Sequence, residues 1–183
     1  MALEDELERI GARAAGLAGS GEALAGILAA EPGAGRRVYV CAYESGDRRS
    51  WLALDEEGRP VEDRAAVREA ASVAAMVEIA ADTAGGGDLE ELRGRLVALR
   101  LRENPPGIDE AEEAALELER TLGAPPRLAT PALLDDIGTA TRRLELALGD
   151  ELASPFAEAM KAAMGAVEEL LREVEAGYKG ELR

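Results

Sequence analysis

The 183-residue sequence contains no histidine and no glutamine, a single cysteine (Cys41), a single asparagine (Asn104) and two lysines (Lys161 and Lys179). The missing histidine excludes Ser-His-Asp and Cys-His nucleophile systems and His-bearing zinc sites. It also excludes the Glu-x-x-His di-iron bundle that an acidic helical chain would otherwise suggest. One cysteine excludes an intramolecular disulfide, four-cysteine zinc sites and ordinary iron–sulfur ligation, and it fits a reducing compartment. Aromatic residues are 3% of the chain, so a core has to come from Leu, Val, Ile and Met between closely packed, alanine-rich helices. Scarce Asn, Gln and Cys fit avoidance of heat-labile side chains. Arginine in place of lysine, with abundant Ala and Gly, fits a GC-rich genome equally well.

Acidic residues outnumber basic ones 37 to 21, for a net charge of −16. The excess is spread along the chain and is largest over 105–183. Such a chain repels polyanions at long range, so nucleic acid is not an expected partner. The first nine residues are acidic and amphipathic, the opposite of a signal peptide's basic start. The longest mostly apolar run, 70–81, is broken by Ser72 and Glu78 and is too short to span a bilayer. The expectation is a cytoplasmic protein without a membrane partner.

What is present is mostly helical pattern. Leu3, Leu7, Ile10, Ala14 and Leu17 recur at spacings of three and four, which predicts a helix over 2–18. Ser20 is placed to cap a second short helix carrying Leu24, Ile27 and Leu28, stopped by Pro32-Gly33. Asp63 caps a long Ala-rich helix over about 64–83, apolar almost all round and therefore buried. Gly85-Gly86-Gly87 ends it. Asp88 with Glu91 forms a capping box for the next helix, with Leu89, Leu92, Leu96 and Leu99 inward. Asn104-Pro105-Pro106-Gly107 is the firmest boundary, dividing 1–104 from 105–183. Asp109 then caps an acidic helix to Leu122. Thr130-Pro131 and Ser154-Pro155 each open a further helix, and their strict three–four spacing with a short connection at 149–153 predicts an antiparallel helical hairpin. Residues 178–183 read as a frayed tail.

One stretch differs. Residues 37–43 and 50–54 are β-branched and aromatic between turn-forming residues, which predicts a β-hairpin. With Tyr43 set opposite Trp51, Cys41 faces Ala53, while Ala42–Leu52 and Val40–Leu54 lie on the other side. A slip of one residue exchanges the faces. Both faces are apolar and both need cover, and a two-stranded hairpin is marginal alone. A helix, a third strand or the hairpin of a second subunit can each supply that cover. The fold expected is therefore α+β and predominantly helical. N-terminal helices and a β-hairpin pack on a central Ala-rich helix, and an antiparallel helical hairpin follows.

Three chemistries remain open. Tyr39, Tyr43 and Trp51, with Arg48 and Arg49 beside them, form the expected interface or ligand face. Arg36, Arg37 and Arg59 sit at the hairpin ends and can protect a strand edge or pair with acidic helices of another subunit. Cys41, mid-strand among apolar neighbours, reads as a buried inert thiol. On the acidic helix, Glu113 and Glu117 lie one turn apart and with Glu110 can share a Mg²⁺. The Glu-x-x-Glu spacing of Glu110 and Glu113 resembles that of the all-helical nucleoside-triphosphate pyrophosphohydrolases. The second pair of that family departs here, because Ala147 stands three before Asp150, and Arg142 and Arg143 would have to bind phosphate. Carboxylate runs are ordinarily a solvated helix face. The reading preferred is a non-enzymatic interaction or regulatory protein, a homodimer or larger homo-oligomer, with no cofactor. Its alternatives are the Mg²⁺-dependent phosphohydrolase and a small-molecule binder with a pocket between the hairpin and the Ala-rich helix.

Overall fold

The structure, a computed structural model, describes residues 2–33, 35–83 and 89–183, with the side chains of 150–157, 163 and 164 outside the description. It is α+β, as the helical spacings and the hairpin pattern predict. The elements in chain order are α1 (Leu3–Ala15), β1 (Ala23–Gly33), β2 (Arg36–Ser45), β3 (Arg48–Leu54), α2 (Arg64–Thr83) and α3 (Leu89–Arg102). They continue with α4 (Ile108–Leu122), β4 (Leu128–Ala129), α5 (Pro131–Leu148) and α6 (Asp150–Ala176). Two compact units divide these elements without following chain order. One comprises Met1–Ala75, Ala124–Pro131 and Val167–Arg183, and the other Met76–Gly123 and Ala132–Ala166. Among the described residues, no helix is long and apolar enough to cross a membrane.

The first unit is built on a mixed sheet in the order β3-β2-β1-β4. Residues 23–33, expected as a helix, are a strand antiparallel to β2. The reason is a β-bulge: Leu24 pairs with Tyr43 and Gly26 with Ala42, so Ala25 is the extra residue. One inserted residue lets Leu24 and Ile27, three apart, share a face, which imitates helical spacing. The β2–β3 turn is tighter than expected. Ser45 pairs with Arg48, leaving Gly46 and Asp47 as a two-residue turn. Gly46 has φ +60°, the conformation a type II′ turn asks of its first central residue.

The register of β2 and β3 is the slipped one. Ala42 pairs with Trp51, Cys41 with Leu52 and Val40 with Ala53. Tyr43 and Trp51 are therefore on opposite faces, correcting the expectation that they share one. Tyr39, Cys41, Tyr43, Leu52 and Leu54 pack with Ile10 and Ala14 of α1. On the other face Val38, Val40, Trp51 and Ala53 are at most 6% exposed within one chain. Both apolar faces of the hairpin are covered without a second subunit.

The second unit is helical. Its core joins Leu92, Leu96 and Leu99 of α3, Ala111, Ala115 and Leu118 of α4, and Ile137 and Leu144 of α5. Each fully buried leucine contributes about 2 kcal/mol. Arg93 pairs with Glu119 at 2.7 Å, and Arg100 pairs with Glu112 at 2.7 Å. Residue numbers rising on α3 as they fall on α4 identify an antiparallel pair.

The start signals hold unevenly. Asp63 Oδ1 accepts hydrogen bonds from the Ala65 and Ala66 amides at 2.9 and 3.3 Å, an N-cap as expected. Helix α5 opens at Pro131. The acidic helix opens at Ile108 with Gly107 as N-cap, so Asp109 belongs to its first turn. Helix α6 starts at Asp150, four residues before Ser154-Pro155, and only Gly149 separates it from α5. The Gly85–Gly87 stop and the Asp88 capping residue lie outside the described residues.

Candidate functional site

A sheet offers two kinds of contact surface, its faces and its edges. With both faces of the hairpin buried, the edges of this sheet decide what is available. The β3 edge is closed by the chain itself. Trp51 N donates to Gly177 O at 2.9 Å and Lys179 N donates to Trp51 O at 2.8 Å, so residues 177–179 lie alongside β3 as a parallel partner. Tyr178 OH donates to Val61 O at 2.6 Å and accepts from Ala53 N at 3.1 Å. Further on, Arg183 N donates to Glu62 O at 2.8 Å and Arg64 N to Arg183 O at 3.3 Å. The segment read from sequence as a frayed tail is a docked strap.

Lys179 anchors that strap. Its ammonium pairs with Glu22, donates to Leu17 O at 3.2 Å, and sits 3.9 Å from the centroid of the Tyr43 ring. Glu22 also accepts from Ser50 Oγ and from Gly19 N, both at 2.7 Å. The Lys179, Ser50 and Gly19 hydrogen bonds hold the Glu22 carboxyl down at about 2, from an ordinary 4.5. Because the folded form binds this proton more weakly than the unfolded form, the stabilisation is complete above pH 4.5. It disappears as pH falls toward 2. Glu22→Gln is therefore expected to flatten the loss of Tm between those values, measured by circular dichroism melts. An unchanged slope would contradict the assignment.

The residues expected as an interface or ligand face are distributed differently. Tyr39 and Tyr43 are fully buried. Tyr39 OH donates to Glu6 Oε2 at 2.8 Å, and Arg37 Nη1 donates to the same oxygen at 2.5 Å. Those two hydrogen bonds hold the Glu6 carboxyl below its usual range. Burial, reinforced by Glu6, pushes the Tyr39 phenol up to about 12. Tyr43 OH donates to Ala14 O at 3.0 Å. The Cys41 thiol is pushed up to about 12 by burial, so it is a core thiol as expected and no nucleophile near neutral pH.

Trp51 is buried on the opposite face, and among the described residues its Nε1 has no hydrogen-bond partner. It borders a cleft of about 660 Å³ with Arg48, Arg49 and Glu173. Arg49 is paired with Glu44 at 3.1 Å, and Arg59 with Asp55 at 2.9 Å. Arg36 and Arg48 form no ion pair among the described residues. A second cleft, about 800 Å³, opens between the start of β2, the 55–63 loop and the first turns of α2. It is the nearest match to the pocket expected beside the hairpin. Arg36, Arg37 and Arg59 border it together with a larger number of carboxylates, which disfavours an anionic ligand.

The expected metal carboxylates stand on α4. Arg143 of α5 pairs with Glu117 and, at 3.6 Å, with Glu113, while Glu110 is exposed. The two glutamates one turn apart are thus bridged by a guanidinium, an arrangement that holds α4 to α5.

The remaining edge belongs to β1. Its outer side meets β4 only at Ala29 and Ala30, paired with Leu128 and Ala129. Among the described residues, 23–28 have no strand partner on that side. This stretch, Ala-Leu-Ala-Gly-Ile-Leu, carries no charge, and Ala23, Ala25 and Gly26 are exposed. No family model, curated protein or solved structure matches the chain. A functional reading therefore rests on this geometry. The sequence signal for the edge was present as an uncharged run beside the hairpin, but the bulge spacing disguised it as a helix face.

Proposed function

We propose that this protein is a non-enzymatic interaction protein that works as a homo-oligomer, its copies joining along the outer edge of β1. The observation that carries the reading is the uncharged, unpaired edge 23–28 on a chain whose net charge is −16. Unpaired strand edges attract further strands, and proteins that stay monomeric usually blunt them with charge or proline. Here the opposite edge is occupied by the 177–179 strap, and the 23–28 stretch of β1 has neither device, Glu31 and Pro32 lying beyond it. Antiparallel pairing about a twofold axis sets residue 23 against 28 and 24 against 27, so no charged residue faces another across the 23–28 ladder. The buried Cys41 thiol and the Arg143-bridged carboxylates support a role without chemistry. An antiparallel α5–α6 hairpin turning at Gly149 completes the reading. Light scattering at tens of micromolar is expected to give a dimer or larger species for the wild type. Ala25→Lys, which places a charge on the exposed bulge, is expected to give a monomer with an unchanged circular dichroism spectrum. A monomeric wild type, or an Ala25→Lys variant that keeps its mass, would sink the proposal.

A further inference from the structure

We propose that the helical unit binds a small apolar cation, an alkyl- or aryl-substituted amine, in a cavity lined by α2, α5 and α6. The cavity is about 220 Å³ and is walled by Met76, Leu134, Ile137 and Met160. That is below the roughly 300–1,000 Å³ of a site for drug-sized ligands, so the occupant is small. Two methionines give a flexible, polarizable wall that adapts to alkyl or aromatic shapes. Gly138, exposed in the middle of α5, stands at the mouth of this cavity, and a Cβ built there meets nothing within 4 Å.

The charge of the ligand follows from the polar groups at the cavity. Thr141 Oγ1 donates to Ile137 O at 2.8 Å, which leaves its oxygen free only to accept. Glu145 is half-buried, and among the described residues no cation lies within ion-pair distance of it. Lys161, the one basic group on the lining, is exposed and stays hydrated. The unit as a whole holds 18 acidic and 8 basic residues, a net charge of −10, whose field draws cations and repels carboxylates. A carboxylate head would meet Lys161 only at the expense of approaching Glu145. An ammonium head meets Glu145 and Thr141 as a donor to two acceptors.

Titration calorimetry at pH 7 with octylammonium, octanol and octanoate tests this on the full chain. Octylammonium is expected to bind about tenfold more tightly than octanol, the weight of one partly buried ion pair, and octanoate more weakly than either. Glu145→Gln should abolish the preference for the ammonium while leaving octanol binding intact. Gly138→Leu, which places a bulky side chain at the cavity mouth, should weaken binding of all three by at least about tenfold. Should that variant unfold, Gly138→Ala with Glu145→Gln decides the matter alone. Octanoate binding as tightly as the amine, an unchanged preference in Glu145→Gln, or no binding of the amine would each overturn the inference.

Discussion

Tyr178→Ala is expected to lower stability by about 3 kcal/mol, combining the loss of a half-buried aromatic ring with two unmade hydrogen bonds. It would move the melting midpoint down by roughly 10 °C for a chain of this length. Tyr178 is the nail of the strap along β3. Its hydroxyl donates to Val61 O at 2.6 Å and accepts from Ala53 N at 3.1 Å, and its ring packs on the cluster that holds Leu52 and Leu54. Truncation removes the ring contacts and leaves the Val61 carbonyl and Ala53 amide without that partner. The conservative change separates the two effects. Tyr178→Phe keeps the ring and is expected to cost about 1–1.5 kcal/mol, the price of the unmade hydrogen bonds. Urea melts of the three proteins measure both differences. If Tyr178→Ala unfolds with the wild type, the strap carries no weight. Loosening it also exposes the β3 edge, so Tyr178→Ala should show a second, charge-independent tendency to associate.

Gly107→Ala is expected to destabilise the helical unit by about 3 kcal/mol, combining a left-handed backbone strain of 1–2 kcal/mol with an overpacking cost of similar size. Gly107 has φ +89° and caps α4. A Cβ at this position would stand 2.7 Å from the Ala147 carbonyl oxygen on α5, a backbone atom that cannot swing aside. Gly138→Ala is the matched control, because its Cβ enters open space and helix propensity favours it by up to about 1 kcal/mol. Opposite signs for the two substitutions in thermal melts support the close approach of Gly107 to α5. Equal effects would deny it.

Much of the helical content was legible because its cause is local. The inward leucines of α3 and the apolar face of α1 repeat at three and four, and the Asp63 cap and Thr130-Pro131 start need only their immediate neighbours. The hairpin was legible from its β-branched and aromatic residues. Its register was not, since the flanking residues are apolar on both faces and a slip by one costs little in pattern. Strand β1 was misread for a definite reason: the bulge at Ala25 gives Leu24 and Ile27 a helical spacing, and Pro32-Gly33 looks like a helix stop.

The candidate sites divide along the same line. Cys41 was readable as a core thiol from its neighbours alone. The engagement of Glu113 and Glu117 by Arg143 was not, because the guanidinium arrives from another helix. Without that partner the two carboxylates look available for a metal.

The sequence by itself determined the class of this protein, most of its helices, the hairpin and the chemistries that a chain without histidine cannot perform. Each of those follows from composition or from periodicities a few residues long. Only the tertiary structure decided which edge of the sheet is closed and which is open, and where the space beside Gly138 lies. Tyr178 meets Ala53 across 125 positions of sequence, and no local preference encodes a pairing over that separation. It is selected by the free energy of closing one particular edge, and the consequence is that β1, not the hairpin face, is left available.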